Sequence, residues 1–317
     1  MGRQRLRRWT RGSFFLLFIV APPLDIFRFD LLQGHFIFFG MDWSLGLTAL
    51  ASGDLSAGEA AARIFLLGFL PGLSVVALGV WLSWRYGRLY CGWLCPHFSV
   101  VEMINSAMRR ATGKPSLWEK EVLPEQDSDG THHPKDRRYW FVVIVAVAVF
   151  AFIWAVVLLT YLLPPTMIYN NLFQGQLSRN QSLFISVATL LFSIEFLLAR
   201  HLFCRFGCAV GLFQSLAWMC NDRALIVDFD RGRGAACRDC TQACDNVCPM
   251  RLNPRKNKRH MFTCTQCALC VEACEKVQAP GGSLLHWHFE GGRGCQAGHQ
   301  APIHFSGSTP HSSSRRG

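Results

Sequence analysis

The apolar positions of this chain fall in blocks. Residues 64–84 and 139–163 run for 21 and 25 residues without a charge. About 20 apolar residues, rising about 1.5 Å each, cross a hydrocarbon layer of about 30 Å. Both blocks therefore predict transmembrane helices. Residues 183–203 predict another, interrupted by Glu195 and Arg200. Residues 13–27 predict a shorter first crossing, kinked at Pro22 and Pro23, since membrane helices tolerate proline. The proline pair stands where a signal peptide would carry small residues, so this run reads as an uncleaved span. Residues 31–50 are apolar but broken by Gly34, Gly40 and Asp42. They predict a loop along the outer membrane surface or a re-entrant segment.

The polar positions complete the pattern. Residues 114–133 read as an exposed loop, 210–219 as an amphipathic stretch on the membrane surface, and 281–317 as a disordered tail rich in Gly, Ser and His. Lys and Arg sort by side: Arg3, Arg5, Arg7, Arg8 and Arg11 precede the first span, and none lies between Arg28 and Arg63. Arg85 and Arg88 follow the second span, Lys135, Arg137 and Arg138 precede the third, and only Arg179 falls between 164 and 181. The positive-inside rule then places both termini in the cytoplasm. The expected fold is a membrane α-helical protein of four transmembrane helices in two hairpins (1–220), followed by a small α+β segment (221–280).

Composition agrees. Half the residues are hydrophobic and 17% are charged, against about a quarter charged in soluble domains. The net charge of +11 follows from the cytoplasmic loops and needs no nucleic acid partner. Membrane lipid is the expected surroundings, and the basic stretch 251–259 could meet anionic headgroups or an acidic electron donor.

Chemistry enters with cysteine. Of 14 cysteines, eight lie between Cys237 and Cys274. Short fixed spacings of this kind are metal-ligand arithmetic and need a reducing compartment. Cys264, Cys267, Cys270 and Cys274 follow C-x2-C-x2-C-x3-C, the spacing of bacterial ferredoxins. Cys237, Cys240, Cys244 and Cys248 end likewise in C-x3-C-P at Pro249, with one extra residue between the second and third cysteines. In such pairs the fourth cysteine serves the other cluster. Cys237, Cys240, Cys244 and Cys274 are thus expected to hold one [4Fe–4S] cluster, and Cys248, Cys264, Cys267 and Cys270 the second. Two structural zinc sites are the alternative.

A second constellation is duplicated: Cys91 and Cys95 in one box, Cys204 and Cys208 in the other, each at i, i+4 after a predicted hairpin. Four soft thiols brought together suit copper(I), zinc or a further cluster; a redox dithiol and plain packing are the other readings. His97 and His201 flank the boxes as candidate ligands or quinone contacts. Glu195, inside a span, is a candidate for proton handling, or a partner of Arg200 or Arg28. Cys220 and Cys295 fit no motif, and the tail histidines His286, His288, His299, His304 and His311 could sequester metal.

Cys91-Gly92-Trp93-Leu94-Cys95-Pro96, the run from Cys264 to Cys274, and residues 224–231 before the first run together resemble the membrane polyferredoxins of CcoG (FixG/RdxA) and NapH type. The second box has Ala209 where that family has proline, and no immunoglobulin-like domain follows the cysteine runs as it does in the CcoG type. The resemblance implies a multi-pass protein of the bacterial inner membrane that transfers electrons at its cytoplasmic face. It implies work with quinol as a quinol dehydrogenase subunit, or as a metal reductase and cytochrome oxidase assembly factor binding copper. Redox proteins or an oxidase complex would be the partners.

Overall fold

A computed structural model describes residues 2–126, 130, 132, 134–238 and 240–289. The first helix, α1 (Arg3–Val20), begins ten residues before the predicted crossing and stops seven before its expected end. Pro22 and Pro23 have no N–H to continue it. Residues beyond turn at Asp25 (φ 49°) into a β-meander. Its strands are β1 (Phe27–Asp30), β2 (His35–Phe38) and β3 (Met41–Trp43), antiparallel in that order, with Phe29 opposite Phe36 and Phe36 opposite Trp43. The segment expected as a loop or re-entrant stretch is thus a small sheet. Gly34 and Gly40, at φ 71° and 72°, supply its two turns, a backbone that favours glycine. Arg28 is buried between Asp25 and Asp30, 2.5 and 2.8 Å away.

Two short helices follow, α2 (Leu47–Ala51) and α3 (Ala57–Arg63), the latter opened by a reciprocal Ser56–Glu59 capping box. A π-helical turn, Ile64–Phe69, joins α3 to α4 (Leu70–Tyr86) just before Pro71, where the missing proline N–H interrupts the ladder. The short α5 (Leu89–Trp93) and the amphipathic α6 (Pro96–Thr112) come next. Then come α7 (Tyr139–Thr160), α8 (Pro165–Phe173) and α9 (Arg179–Ile194). Helix α9 winds into a π turn, Glu195–Ala199, and ends at Arg200 (φ 44°), short of the expected residue 203.

Among the described residues three helical runs are long and apolar enough to cross a membrane: Ala57–Tyr86, Tyr139–Thr160 and Arg179–Ala199. Helix α1 has arginine through its first half, but it follows α7. Phe15 and Phe18 lie against Trp154, and the Tyr161 hydroxyl donates to Phe18 O at 2.9 Å. Val143, Val147, Ala151 and Trp154 of α7 pack with Val101, Ile104, Met108 and Phe196 to form the main core. At the far end of α7, Phe29 and Leu31 N–H groups donate to Tyr161 and Leu162 carbonyls at 2.9 and 3.0 Å, which fixes the meander there.

The remainder gathers at the opposite end of α7, where α1 starts. Helix α10 (Ala209–Met219) buries Gly211, Ser215 and Trp218 and exposes Val210, Leu212, Phe213 and Leu216. Strand β4 (Leu225–Phe229), short helix α11 (Ala243–Asn246) and α12 (Leu269–Val277) follow. Strand β5 (Leu285–Phe289) pairs antiparallel with β4, Leu225 opposite Phe289. Disorder was expected from residue 281, yet Leu285, Trp287 and Phe289 alternate with His286 and His288 as a strand requires. The α+β segment therefore runs to 289; the rest of the tail, with Cys295, His299, His304 and His311, lies outside the described residues.

Candidate metal and thiol centre

Three sets of thiols are arranged in sequence from the ferredoxin-like segment toward the helices. The outer set is Cys237, at the end of a 3-10 turn, Cys240, Cys244 on α11 and Cys274 on α12. All four line one cavity, with Phe229, Gln242, Arg255 and Leu285. Gln242, at φ 59°, caps the helix of Cys244 as Ala268, at φ 57°, caps that of Cys270. Leu284 N–H from the lead-in to β5 donates to Cys274 Sγ at 3.3 Å.

The inner set is Cys248, Cys264, Cys267 and Cys270, mutually within electrostatic reach. Gln266 (φ 52°) and Ala268 (φ 57°) are left-handed within its tight loop. Such turns point successive N–H groups inward as an anion-binding nest, a feature of many iron–sulfur sites. Backbone N–H groups of Gln266 and Leu269 face Cys264 and Cys267, and Leu252 N–H donates to Cys248 Sγ at 3.4 Å. Burial pushes the Cys264, Cys267 and Cys270 thiols up, and Cys248 to about 12. Only a cation bound among them would hold them as thiolates near neutral pH. Among the described residues no three His, Cys, Asp or Glu side chains converge on a single-ion point. The four thiols of the outer set instead line one cavity, an arrangement closer to the corners of a cubane than to the tight tetrahedron of zinc, whose sulfurs sit about 2.3 Å from one ion.

The box set is Cys91, Cys95, Cys204 and Cys208. The duplication seen in sequence recurs in structure: the second cysteine of each box caps the following helix, Cys95 before α6 and Cys208 before α10. Cys91 and Cys95 come within electrostatic reach of each other and of both Cys204 and Cys208. Burial pushes Cys95 up to about 11 and Cys204 higher still. Cys91 Sγ lies 3.3 Å from Gln214 Oε1. His97 Nδ1 is 3.7 Å from Cys204 Sγ, and its Nε2 is 2.7 Å from Glu195 Oε2. Glu195 therefore pairs with His97, and neither Arg200 nor Arg28 is its partner. Arg200 binds the carbonyls of Phe196 and Pro115 and the side chain of Asn105. His201 turns to Asn105, 2.5 Å away, and burial pushes it down to about 4. Cys220 is exposed at the end of α10, apart from all three sets.

The sets are stitched together by residues that sequence reasoning passed over. Gly92 abuts Thr265 so closely that a Cβ would stand 2.1 Å from its carbonyl oxygen. Trp93 Nε1 donates to Gln266 O at 2.9 Å, and its ring stacks on Trp287, which donates to Gln266 Oε1 at 2.8 Å. From α1, Gln4 donates to Cys267 O (2.9 Å) and Arg7 to Gly92 O (2.8 Å), while Arg7 and Arg11 clasp Glu102 at 2.6 and 2.7 Å. Cys95 and Cys204 share one apolar core with Cys248 and Cys264. Cys270 shares another with Cys237, Cys244 and Cys274. The arginine cluster before the first span and a glycine inside the first box were the available signals.

Comparison with known proteins adds two findings. A family described as "4Fe-4S binding domain" matches residues 69–115, a stretch that holds the first box, its cysteines being Cys91 and Cys95. The chain is also 24% identical over 228 residues to "Putative electron transport protein YccM" of Escherichia coli (strain K12), across 71% of this chain. It spans 57% of that relative's length. No solved structure matches. These findings support iron–sulfur chemistry and leave the choice between CcoG-like and NapH-like proteins open.

Proposed function

We propose that the protein is a membrane-anchored iron–sulfur electron relay working at the cytoplasmic face of a bacterial inner membrane. The observation that carries this is the continuity of the three thiol sets through two shared apolar cores, one joining box to inner set and one joining inner to outer. The relative's name and the matched family favour the same reading. Cys237, Cys240, Cys244 and Cys274 would hold one [4Fe–4S] cluster and Cys248, Cys264, Cys267 and Cys270 the other; when bound, these supply one-electron transfer. Around them the chain excludes water by burial, donates backbone N–H groups to sulfur, and holds the inner loop against the first box through Trp93 directly and through Gln4 and Arg7 of α1.

Four crossings, with α1 as the first, put both termini and every thiol set on the cytoplasmic side. The outer set borders an open cleft of about 700 Å³, lined by Trp118, Lys120, Asp245 and Arg251 among others, with Gln242 and Arg255 common to cleft and cavity. A soluble redox partner would exchange electrons there. The box lies at the membrane end of the relay. Its thiols, His97 and Glu195 suit quinol oxidation, where an electron and a proton must part. The electrostatic proximity of the box thiols supports a second reading, a copper site used in metal reduction that the ion itself would draw together.

Anaerobic purification with iron and sulfide counting, followed by EPR of the dithionite-reduced protein, tests the proposal. Two interacting cubane signals are expected. Zinc in place of iron refutes it. Copper that is bound at the box and lost in Cys91→Ser/Cys204→Ser selects the second reading.

A further inference from the structure

A cleft of about 830 Å³ opens between α1, α6, α7 and α12, and no cysteine lines it. Its two halves differ in chemistry. Where α1 and α7 begin, its lining includes Arg8, Arg11, Arg110 and Tyr139; further along the same two helices it includes Phe15, Val142 and Phe150. Val142 is 47% exposed, so the apolar half is open to the surroundings of α7. From Tyr139 to Phe150 the helix rises about 16 Å, at about 1.5 Å per residue. That is half of a hydrocarbon layer of about 30 Å, the depth of one leaflet.

The charges in the lining do not balance. Four guanidiniums against two carboxylates leave an excess of two positive charges. Glu102 is held by Arg7 and Arg11 at 2.6 and 2.7 Å, and Glu272 lies 3.7 Å from Lys276. Arg8 and Arg110 are exposed and have no carboxylate partner among the described residues. Arg110 lies over the Tyr139 ring, 5.5 Å from its centroid, and donates to the hydroxyl at 3.3 Å. A neutral head group would leave the excess charge unmatched, and a free phosphate would leave the apolar half bare.

We propose that this cleft binds one anionic phospholipid, its phosphate among Arg8, Arg11 and Arg110 and one acyl chain along Phe15, Val142 and Phe150. Basic pockets between membrane helices recognise anionic head groups in this way. Leu269 of α12, next to Cys270, lines the same cleft from the ferredoxin-like side, so the lipid also braces that segment against the helices. The proposal rests on the reading that α1 and α7 lie in the bilayer with this end at its surface, and it does not depend on the clusters.

The test is native mass spectrometry of the full-length protein, delipidated in detergent and then given phosphatidylglycerol or phosphatidylcholine. One phosphatidylglycerol should bind in clear preference to phosphatidylcholine. Arg8→Gln/Arg110→Gln should weaken that binding about 25-fold, about fivefold for each arginine. Val142→Trp, which fills the apolar half and leaves every charge in place, should weaken it too, and it decides the matter if the double variant does not fold. Arg137→Gln/Arg138→Gln removes equal charge from exposed positions outside the cleft and should leave binding unchanged. Glycerol phosphate in excess should not compete. Equal binding of the two lipids, cleft variants that bind as wild type does, equal loss in the Arg137→Gln/Arg138→Gln protein, or competition by glycerol phosphate overturns the proposal. A protein that leaves the membrane in an alkaline wash without detergent overturns instead the reading beneath it.

Discussion

Replacing Gly92 with alanine tests whether the first box and the inner cysteine loop are one rigid unit. The added Cβ would stand 2.1 Å from Thr265 O, whereas carbon and carbonyl oxygen approach to about 3.3–3.6 Å. One backbone must retreat from the other by about 1.2 Å. One hydrogen bond crosses this junction, Trp93 to Gln266 O at 2.9 Å, and α1 bridges it with Arg7 to Gly92 O at 2.8 Å on one side and Gln4 to Cys267 O at 2.9 Å on the other. Stretched by about 1 Å, an N–H···O bond leaves bonding range. A buried donor left unpaired costs about 1–3 kcal/mol, and overpacking alone costs about 1–3 kcal/mol. A net loss of about 2–5 kcal/mol is expected, which lowers the Tm by on the order of 5–15 °C for a chain of this size. Thermal unfolding followed by tryptophan fluorescence reads it directly, because Trp93 and Trp287 stack at the junction with ring centroids 6.1 Å apart. Gly58→Ala is the control, since nothing lies within 4 Å of a Cβ there. A Gly92→Ala protein that melts within about 2 °C of wild type, a shift worth under about 1 kcal/mol, would refute the docked-unit argument.

Three further outcomes follow from the same geometry. Burial acts to raise the Glu102 carboxyl, but Arg7 and Arg11 outweigh it and hold the group below its usual 4.5. A carboxyl depressed in the fold stabilises it above the unfolded pKa and loses that contribution as pH falls through the folded value. The anchoring of α1 should therefore weaken below pH 4.5, and Glu102→Gln should remove that part of the acid transition in a pH-dependent melting series. Ending the chain after Gly282 removes β5, the Leu284 N–H bond to Cys274 Sγ and the Leu285 wall of the outer cavity. About half the iron should be lost from that variant, whereas ending it after Phe289 should leave iron content unchanged. Among the described cysteines of metal-free protein at pH 8, mass spectrometry after brief alkylation should find exposed Cys220 modified first and Cys204 and Cys264, whose thiols burial pushes far up, last.

The parts of this protein that were legible in sequence are those set by local periodicity and spacing. Residues 64–84 and 139–163 announce their helices because lipid demands an uninterrupted apolar run. The cysteine runs stand out because three thiols of each expected centre sit on one short loop, the fourth being expected from the other run. The meander escaped notice because strands of three or four residues carry too little alternation to outweigh an apolar composition. Strand β5 was hidden by the low-complexity tail behind it, although its alternation of Leu285, Trp287 and Phe289 is plain once β4 offers a partner. The junction was invisible for a different reason: Gln4 meets Cys267 and Trp93 meets Gln266 across 263 and 173 residues of chain. No local pattern encodes a contact at that range. Glu195 shows the same limit, since its sequence neighbour Arg200 was an available partner and His97, 98 residues away, is the actual one.

The two boxes are repeats, yet what each admits differs, and the difference gives the site a direction. In both, a glycine stands where a side chain would block an approach. Gly92, inside the first box, lets the Thr265 carbonyl of the inner loop come close, and Gly211, three residues past Cys208, lets the Arg88 guanidinium come close. One repeat thus receives backbone from the ferredoxin-like segment, and the other receives a cation from its sister repeat. A symmetric four-thiol site would present the same surface to both sides. Here the first box meets the inner loop at Gly92, while Cys204 of the second lies 3.7 Å from His97, which pairs with Glu195 at the end of α9. An electron and a proton arriving together at the box would find separate exits, one through the junction at Gly92 and one through the histidine–carboxylate pair. Substitution at either exit should then impair turnover without emptying the other, a separation that a purely structural pair of boxes would not produce.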